Sequence, residues 1–485
     1  MIEYPPAGGG HEEAAVGLEA FGRAVVERRV SAVELVRRSL ERIERLDGEL
    51  GAVVALRAAP AVEEAAALDR RAAAGEPLGP LAGAPLLVKD LEDVAGMRTT
   101  FGSLLFEHAP PAAADSRIVA RLRAAGAIVV GKTNLPELAV EGYTANRLFG
   151  VTRNPWAPEW SPGGSSGGSG AALAAGMAAL ATASDGGGSI RIPAAMCGLA
   201  GIKPTGGLIG RSPIPDWIDL STDGPLATSV ADLRLLLALE AGPVAGDPTA
   251  LPAPPELARR PRPMRPGRVL AAPRFVPWGP LPADVAALFE TALAALERDL
   301  GVPVDPVEPK RIFRAGNLDD DWVTLATTEH AHKLGRELIE ANLDRLHPSG
   351  RAFLRHGLRV SLGDYLAARR RRFEYVRELD ELLGDDGVIV TPTLASSGWL
   401  AEGRMPGSDR LGVPDEVYNT TAANMTGHPS LSLPAGRFPS GVGFGLQLTG
   451  PRFRDDLLLD LGEAWQAAHP WPPVADGYLP FEPLP

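Results

Sequence analysis

Apolar positions recur at helical spacing near the start of the chain. Residues 31–46 place apolar side chains on one helical face, at Val33, Val36, Leu40, Ile43 and Leu46. Ser31 and Glu34 have the spacing of a capping box, so the pattern predicts a helix that begins after Ser31. A second, alanine-rich stretch near 58–74 also has helical periodicity. We therefore predict a largely helical N-terminal part, at about residues 10–75.

Short apolar runs alternate with helical segments in the next part of the chain. The runs GAPLLVKD (83–90) and AIVVGKT (127–133) predict buried strands, the first of which ends at Lys89. A helical segment at 117–126 separates them, and the pattern returns later as strands at 268–273 and 302–308 around a helix at 282–301. This alternation predicts an α/β fold whose sheet is buried on both faces.

Two stretches interrupt this pattern. Residues 163–210 contain 14 of the 55 glycines, and an alanine-rich helix is predicted inside them at 170–181. Residues 243–282 contain 12 of the 46 prolines, which indicates a surface connection and not a core element.

Composition narrows the class of protein. The chain has 485 residues, 45% hydrophobic and 22% charged, as expected for a globular protein with a large core. A net charge of −12 argues against a protein that binds nucleic acid through phosphate contacts. The lone cysteine, Cys197, excludes intramolecular disulfides and cysteine-rich metal sites. The N-terminus has no signal-peptide pattern and residues 171–183 are too short to cross a bilayer, so we expect a cytoplasmic protein without membrane contact.

Positive charge is carried almost entirely by arginine, because the 48 cationic residues include only five lysines. A lysine can give up its proton where an arginine cannot, so these five positions are candidates for chemistry. They are Lys89, Lys132, Lys203, Lys310 and Lys333. The run Arg369–Arg372 lies inside a helical pattern at 364–383 that also carries acidic residues, and it predicts a solvated helix face without a function.

Two motif matches fail on their context, and a histidine-based motif is absent. Residues 126–133 fit the phosphate-loop pattern G-x-x-x-x-G-K-[ST], but the variable residues Ala-Ile-Val-Val favour a strand. The G-x-S-x-G matches in 163–168 follow a proline-rich segment, whereas a nucleophile elbow follows a strand. No histidine spacing supports a metal site or a Ser-His-Asp triad.

One group of residues remains as a candidate catalytic site. Ser189 follows three glycines, whose backbone can aim several N–H groups at one point, as an oxyanion hole requires. Ser165 lies 24 residues earlier in a Gly-Ser loop, and Lys89 ends a buried strand, where loss of solvent lowers the pKa of an amine. A serine nucleophile with a lysine base is therefore conceivable from the residues alone.

The block GGSSGGSGAALAAGMAALATASDGGGSIRIPAAMCGLAGIKPT (163–205) resembles the signature sequence of the amidase signature family of serine hydrolases. The similarity extends over PLLVKD (85–90), AGAIVVGKTNLPEL (125–138), FGVTRNPW (149–156), DGPLATSVADL (223–233) and NMTGHPSLSLPAG…GFGLQL (424–448). It covers roughly 30–465 and is weakest between about 245 and 420. The resemblance implies one domain over 1–485, with a large mixed central β-sheet covered on both faces by α-helices.

The resemblance also implies roles for individual residues. Ser189 becomes the nucleophile, Lys89 the base, and Ser165 the bridging residue, held after Gly164 by a non-proline cis peptide bond. The implied oxyanion donors are the N–H groups of Gly186, Gly187, Gly188 and Ser189. The residues that support the loop are Ser166, Ser184, Asp185 and Arg191. Cys197 is interpreted as a buried hydrophobic residue and not as a nucleophile.

The implied activity is hydrolysis of a linear carboxamide to a carboxylic acid plus ammonia or an amine, by a stand-alone amidase without metal or cofactor. A small-molecule amide is the expected substrate, esters are plausible side substrates, and the resemblance admits a homodimer. The alternatives are a glutaminase subunit of the tRNA-dependent amidotransferase A type and a non-catalytic binding subunit. Glu141 and Tyr143 stand where the amidotransferase A protein has a Gly-Ser-Ser/Thr run, which disfavours the glutaminase. The divergent region 245–420 is expected to build the substrate pocket, with Trp278, Trp322 and Tyr365 as aromatic core residues.

Overall fold

A central mixed β-sheet organises the molecule. The computed structural model describes residues 17–259, 266–408 and 419–483. Within these ranges eleven strands form the sheet in the order β1-β3-β2-β6-β10-β8-β14-β15-β13-β11-β12. The pairs β4–β5 and β7–β9 form two small separate sheets. The strands are β1 Val53–Leu56, β2 Pro85–Lys89, β3 Ile128–Thr133, β4 Ala145–Asn146, β5 Gly150–Val151, β6 Leu180–Ala181, β7 Ser184–Asp185, β8 Ala200–Lys203, β9 Thr222–Asp223, β10 Leu226–Ala227, β11 Arg268–Ala271, β12 Val304–Pro306, β13 Gly387–Pro392, β14 Ser430–Arg437 and β15 Gly443–Thr449.

Fourteen α-helices are described over the same ranges. They are α1 Glu19–Val26, α2 Ala32–Leu50, α3 Ala58–Ala73, α4 Arg117–Ala124, α5 Gly167–Ala174, α6 Arg191–Cys197, α7 Val230–Glu240, α8 Ala283–Leu300, α9 Leu318–Leu334, α10 Arg336–Ala341, α11 Pro348–Gly357, α12 Leu362–Leu383, α13 Thr421–Thr426 and α14 Asp455–Ala468. The main cluster of buried apolar side chains runs from Leu18 to Phe481 along the chain.

Helices cover both faces of the sheet, which confirms the predicted fold class. Leu431 and Ser432 are neighbours on β14 and therefore point to opposite faces. Gly462 of α14 packs against the Leu431 side chain, whereas Gly445 of β15 lies between Ser432 and Ala195 of α6. Helices α6 and α14 thus lie on opposite sides of the same strand. No helix in the described ranges is both long and apolar enough to cross a bilayer.

The predicted N-terminal helices are present, but a strand lies between them. Helix α2 begins after Ser31, whose hydroxyl accepts a hydrogen bond from the N–H of Glu34 at 3.0 Å, as the capping box predicts. Strand β1 then pairs antiparallel with β3, so the part from 17 to 75 is not wholly helical. The predicted residues 10–16 lie outside the described ranges. The segment that matches the phosphate-loop pattern contains strand β3, as predicted, and this strand pairs parallel with β2.

Two predictions in the glycine- and proline-rich stretches differ from the structure. The helix expected at 170–181 begins at Gly167 and ends at Ala174, and Leu180–Ala181 is instead strand β6. Gly176 has φ +62°, a left-handed conformation that ends the helix, which explains the difference. The prediction of a proline-rich surface connection agrees with the structure up to residue 259. Its later part contains β11, which pairs parallel with β13 inside the sheet.

The prediction of a solvated face for the arginine run on α12 agrees with Arg370, which is exposed, but not with its neighbours. Arg369 and Arg372 both pair with Asp219, at 2.9 and 2.7 Å. Arg371 donates to Asp321 at 2.7 Å. These side chains fasten α12 to neighbouring segments because their carboxylate partners lie on other elements, which periodicity within the helix cannot reveal.

Candidate active site

Lys89 lies at the carboxyl end of β2 and is fully buried. Its Nζ lies 2.8 Å from Ser165 Oγ, 2.9 Å from Ser166 Oγ and 3.0 Å from Ser184 Oγ. The hydroxyl of Thr182 on the adjacent segment accepts a hydrogen bond from the Lys89 backbone N–H at 2.8 Å, which fixes the strand end. The three side chains that surround the amine are thus neutral hydroxyls and not carboxylates.

Burial controls the protonation of this amine. Loss of solvent lowers the pKa of Lys89 to about 7, against the opposing effect of the carboxylates of Glu92, Asp185 and Asp223, which favour the charged form. An ordinary lysine amine is charged at neutral pH. Lys89 can therefore hold a neutral amine in contact with a serine hydroxyl, which is the state a base needs.

Ser165 stands between the Gly-Ser loop and helix α5. The Gly164–Ser165 peptide bond is cis, as the resemblance implied. Ser165 and Ser166 are buried, and the N–H of Ser166 donates to the carbonyl of Ser189 at 3.2 Å. This bond joins the Gly-Ser loop to the segment that carries Ser189, so the structure brings Ser165 and Ser189 into one site.

A buried ion pair fixes the loop that carries Ser189. Asp185 accepts two hydrogen bonds from Arg191, from Nε and from Nη2, both at 2.9 Å. Burial alone would raise the pKa of Asp185, but the Arg191 guanidinium lowers it to about 2. Asp185 also accepts from the backbone N–H groups of Gly188 at 2.7 Å and Ile190 at 3.2 Å. The carboxylate thus closes the turn that presents Ser189.

Two residues far along the chain complete this support. Asn424 donates from Nδ2 to the carbonyl and to Oδ1 of Asp185, both at 2.9 Å, and accepts from Arg191 at 2.8 Å. Gln447 accepts from Arg191 at 2.9 Å. Sequence reasoning assigns neither residue a role, although Asn424 opens one of the segments that resemble the family.

The oxyanion prediction needs a correction at Gly188, because its N–H is already donated to Asp185. The N–H groups of Gly186, Gly187 and Ser189 have no hydrogen-bond partner among the described residues. These three donors are therefore available to a substrate, and Gly188 serves the turn instead.

Two indole rings pack directly on the glycine loop. A Cβ on Gly186 would lie 2.1 Å from the ring of Trp217, and one on Gly187 would lie 2.6 Å from the ring of Trp322. Trp322 Nε1 also donates to the carbonyl of Gly186 at 2.8 Å. Only glycine fits beneath these rings. The predicted core residue Trp322 is half-buried at the site, and Trp217 escapes prediction because nothing in its local sequence marks it.

Two cavities meet at Ser189. One has a volume of about 290 Å³ and is lined by Ile192, Trp322 and Phe353 among others. The other has a volume of about 210 Å³ and also contains Ser165, Leu138 and His330 in its wall. Trp217 borders both cavities. Ser189 thus has space on two sides, and the predicted pocket region 245–420 contributes residues to both walls.

The structure also places the other residues that the sequence analysis singled out. Cys197 is buried, and burial raises the pKa of its thiol, which does not fit a nucleophile. Trp278 and Tyr365 are half-buried at the edge of a second apolar cluster. Lys333 is exposed but contributes to the rim of the smaller cavity at Ser189.

Comparison with known proteins shows the family to which this chain belongs. A family model described as Amidase matches residues 34–459. Putative amidase AmiB2 of Mycobacterium tuberculosis (strain ATCC 25618 / H37Rv) is 36% identical over 478 residues, covering 94% of this chain and 96% of that protein. The A component of the glutamyl-tRNA(Gln) amidotransferase of Thermosynechococcus vestitus (strain NIES-2133 / IAM M-273 / BP-1) is 34% identical over 482 residues, covering 94% of this chain and 98% of that protein.

A solved structure of a bacterial aryl acylamidase of the amidase signature family superimposes with a TM-score of 0.85. It shares 27% sequence identity, and the match covers 94% of this chain and 96% of that one. The chain therefore belongs to the amidase signature family. The predicted family and the prediction of an amide-hydrolysing enzyme are confirmed.

Proposed function

We propose that this chain hydrolyses the C–N bond of a small linear carboxamide through an acyl-enzyme on Ser189, with Ser165 and Lys89 as the proton relay. One observation carries the proposal. The buried amine of Lys89 lies 2.8 Å from Ser165 Oγ, and burial lowers its pKa to about 7. A base of this kind is matched to proton transfer near neutral pH.

The relay would work in two directions. Neutral Lys89 takes the proton of Ser165, which takes the proton of Ser189 as Ser189 Oγ bonds to the carbonyl carbon. The oxyanion accepts hydrogen bonds from the N–H groups of Gly186, Gly187 and Ser189, each good donor contributing about 3–4 kcal/mol. Collapse breaks the C–N bond, and Ser165 returns a proton to the leaving nitrogen. Water then attacks the acyl-enzyme by the same relay and releases the carboxylic acid.

The site supports a stand-alone enzyme better than a glutaminase component of a complex. Trp217, Trp322 and Phe353 give the cavities at Ser189 aromatic walls, which suit an apolar acyl or amine group better than the polar side chain of glutamine. The similarity to the amidotransferase A protein makes the glutaminase the alternative that must be tested directly.

The test is whether the purified chain alone hydrolyses simple amides, and whether it forms an acyl-enzyme on Ser189. Mass spectrometry after brief mixing with an amide or activated ester should show one acyl adduct in the wild type and none in Ser189→Ala. Hydroxylamine should divert the adduct to a hydroxamate. Glutamine and simple aromatic amides are assayed side by side. Wild-type turnover by Ser189→Ala, or activity confined to glutamine, would contradict the proposal.

A further inference from the structure

A third cavity, of about 270 Å³, lies apart from the catalytic serine, which is not among its lining residues. Five cationic side chains line it, in a chain whose net charge is −12. They are Lys203, Arg211, Arg369, Arg372 and Arg452, and Asp219 is the carboxylate among the described lining residues. Such a concentration of cations in an acidic protein indicates a place for a negative ligand.

The ion pairs around the cavity show which cationic side chain lacks a carboxylate partner. Arg369 and Arg372 share Asp219, and Arg369 also lies 3.3 Å from Glu329. Arg211 pairs with Asp247 at 3.3 Å, and Arg452 pairs with Asp380 at 2.7 Å. These carboxylates, apart from Asp219, lie outside the cavity wall. The arginines are thus held in place by partners that do not occupy the cavity itself.

Lys203 has no carboxylate partner of this kind in the described part of the chain. It is buried, and its Nζ donates to the carbonyl of Pro204 at 2.6 Å, its one hydrogen bond to the described residues. An ammonium carries three N–H donors, so two remain for a ligand. Burial, together with nearby Arg191, lowers the pKa of Lys203 to about 7, and an anion beside it would favour the charged form.

Two exposed phenyl rings line the same cavity. The side chains of Phe373 and Phe453 are 76% and 58% exposed. Phe453 has φ +68°, a left-handed conformation that is strained for a phenylalanine, and its N–H donates to Thr205 Oγ1 at 2.9 Å. Strained backbone conformations of this kind cluster at functional sites.

We propose that this cavity binds a small monocarboxylate with an apolar body, its carboxylate on Lys203 and its apolar part against Phe373 and Phe453. This is the chemical class of the acid that the proposed function releases, and the choice of ligand rests on that function. The wall is shared with the active site through Asn424, which lines the cavity and also holds Asp185. The proposed ligand is therefore an acid of the product class, bound beside the wall that the cavity shares with the active site.

The test is calorimetric titration with benzoate, acetate and inorganic phosphate on Ser189→Ala protein, so that a failure of the catalytic proposal leaves the measurement unchanged. Benzoate should bind, and acetate and phosphate about tenfold or more weakly. Lys203→Met should weaken benzoate binding about tenfold or more, because a charged hydrogen bond is lost. Phe453→Ala should weaken it about threefold to tenfold. Thermal unfolding checks that each variant is folded. If Lys203→Met does not fold, benzoate binding by Arg452→Gln and Phe453→Ala tests the proposal instead.

The matched control is Leu362→Ala, which removes an exposed apolar side chain from α12 outside the cavity and should leave binding unchanged. Trp322→Ala lies in the catalytic cavity and should weaken only benzoate that binds there, so it separates that binding from binding at Lys203. The proposal is overturned if benzoate does not bind, if acetate binds equally well, or if Trp322→Ala abolishes binding while the cavity variants do not.

Discussion

The five lysines of this chain occupy two kinds of environment. Lys310 and Lys333 are exposed, whereas Lys89, Lys132 and Lys203 are buried. The buried three differ in their neighbours. Lys132 donates to the carboxylate of Asp90 at 2.9 Å, while Lys89 contacts neutral hydroxyls. Because lysine is scarce, few positions are candidates for a catalytic base, and the side chains around each amine decide among them.

We expect Lys89→Arg to be nearly inactive, although the substitution is conservative. A guanidinium stays protonated at any pH at which the protein is folded, so it cannot accept the proton of Ser165. The measurement is kcat/KM for an amide, with circular dichroism to check folding and Lys310→Arg as the exposed control. Substantial activity in Lys89→Arg would remove this lysine from the role of base.

Activity should rise with pH through about 7. Burial lowers the pKa of Lys89 to about 7 and catalysis needs its neutral form, so the active fraction grows as the proton is lost. The profile of kcat/KM between pH 5.5 and 9, on a substrate that does not titrate there, checks this expectation. A profile that falls over this range would show that a protonated group is required instead.

Gly187→Ala should reduce kcat strongly, by about a hundredfold or more if an oxyanion donor is displaced. The added Cβ would lie 2.6 Å from the ring of Trp322, so the loop or the indole must move. Gly48→Ala is the matched control, because a Cβ there meets nothing within 4 Å and the position lies inside helix α2. It should keep full activity and gain about 0.5–1 kcal/mol of stability.

Among the helices and strands, the periodicity of apolar residues predicts those whose formation depends on their own local sequence. Helices α2, α8 and α12 and strands β2 and β3 follow from the spacing of their apolar residues, and their predicted ends lie within a few residues of the observed ones. The two-residue strand β6 could not be predicted, because its alanine-rich sequence favours a helix and only pairing with β2 and β10 makes it a strand.

The proposed catalytic residues come from the resemblance of one contiguous block and from Lys89, whereas the walls of the pocket could not be predicted from the sequence. Trp217, Trp322 and Phe353 reach Ser189 from three separate segments. Their convergence depends on how helices α9 and α11 pack, and a single sequence contains no local signal for such contacts.

The cap of helix α2 offers a test at this scale. Ser31→Ala removes the hydroxyl that accepts from Glu34, and we expect a loss of about 1 kcal/mol in the free energy of unfolding. Ser31→Thr keeps the acceptor and should lose much less. Urea unfolding of both variants makes the comparison, and equal stabilities would show that the cap does not contribute.

For the whole molecule, the ion pair of Asp185 and Arg191 has the largest expected effect. Arg191→Gln leaves a buried carboxylate without its cation, which typically costs about 3–5 kcal/mol. Arg298→Gln breaks the exposed pair with Asp299 and should cost less than about 1 kcal/mol. Thermal unfolding of the two variants checks the contrast, and similar melting temperatures would contradict it.

The contacts of Asn424 also set an order of events during synthesis. Asp185 and Asn424 are 239 positions apart in the chain. At about 5–20 residues per second, a ribosome takes roughly 12–48 s to pass from the first to the second. Strand β14, which completes the edge of β8, emerges later still. A nascent chain thus carries Ser165, Ser189 and Lys89 before Asn424 can bind Asp185 and support the loop that carries Ser189.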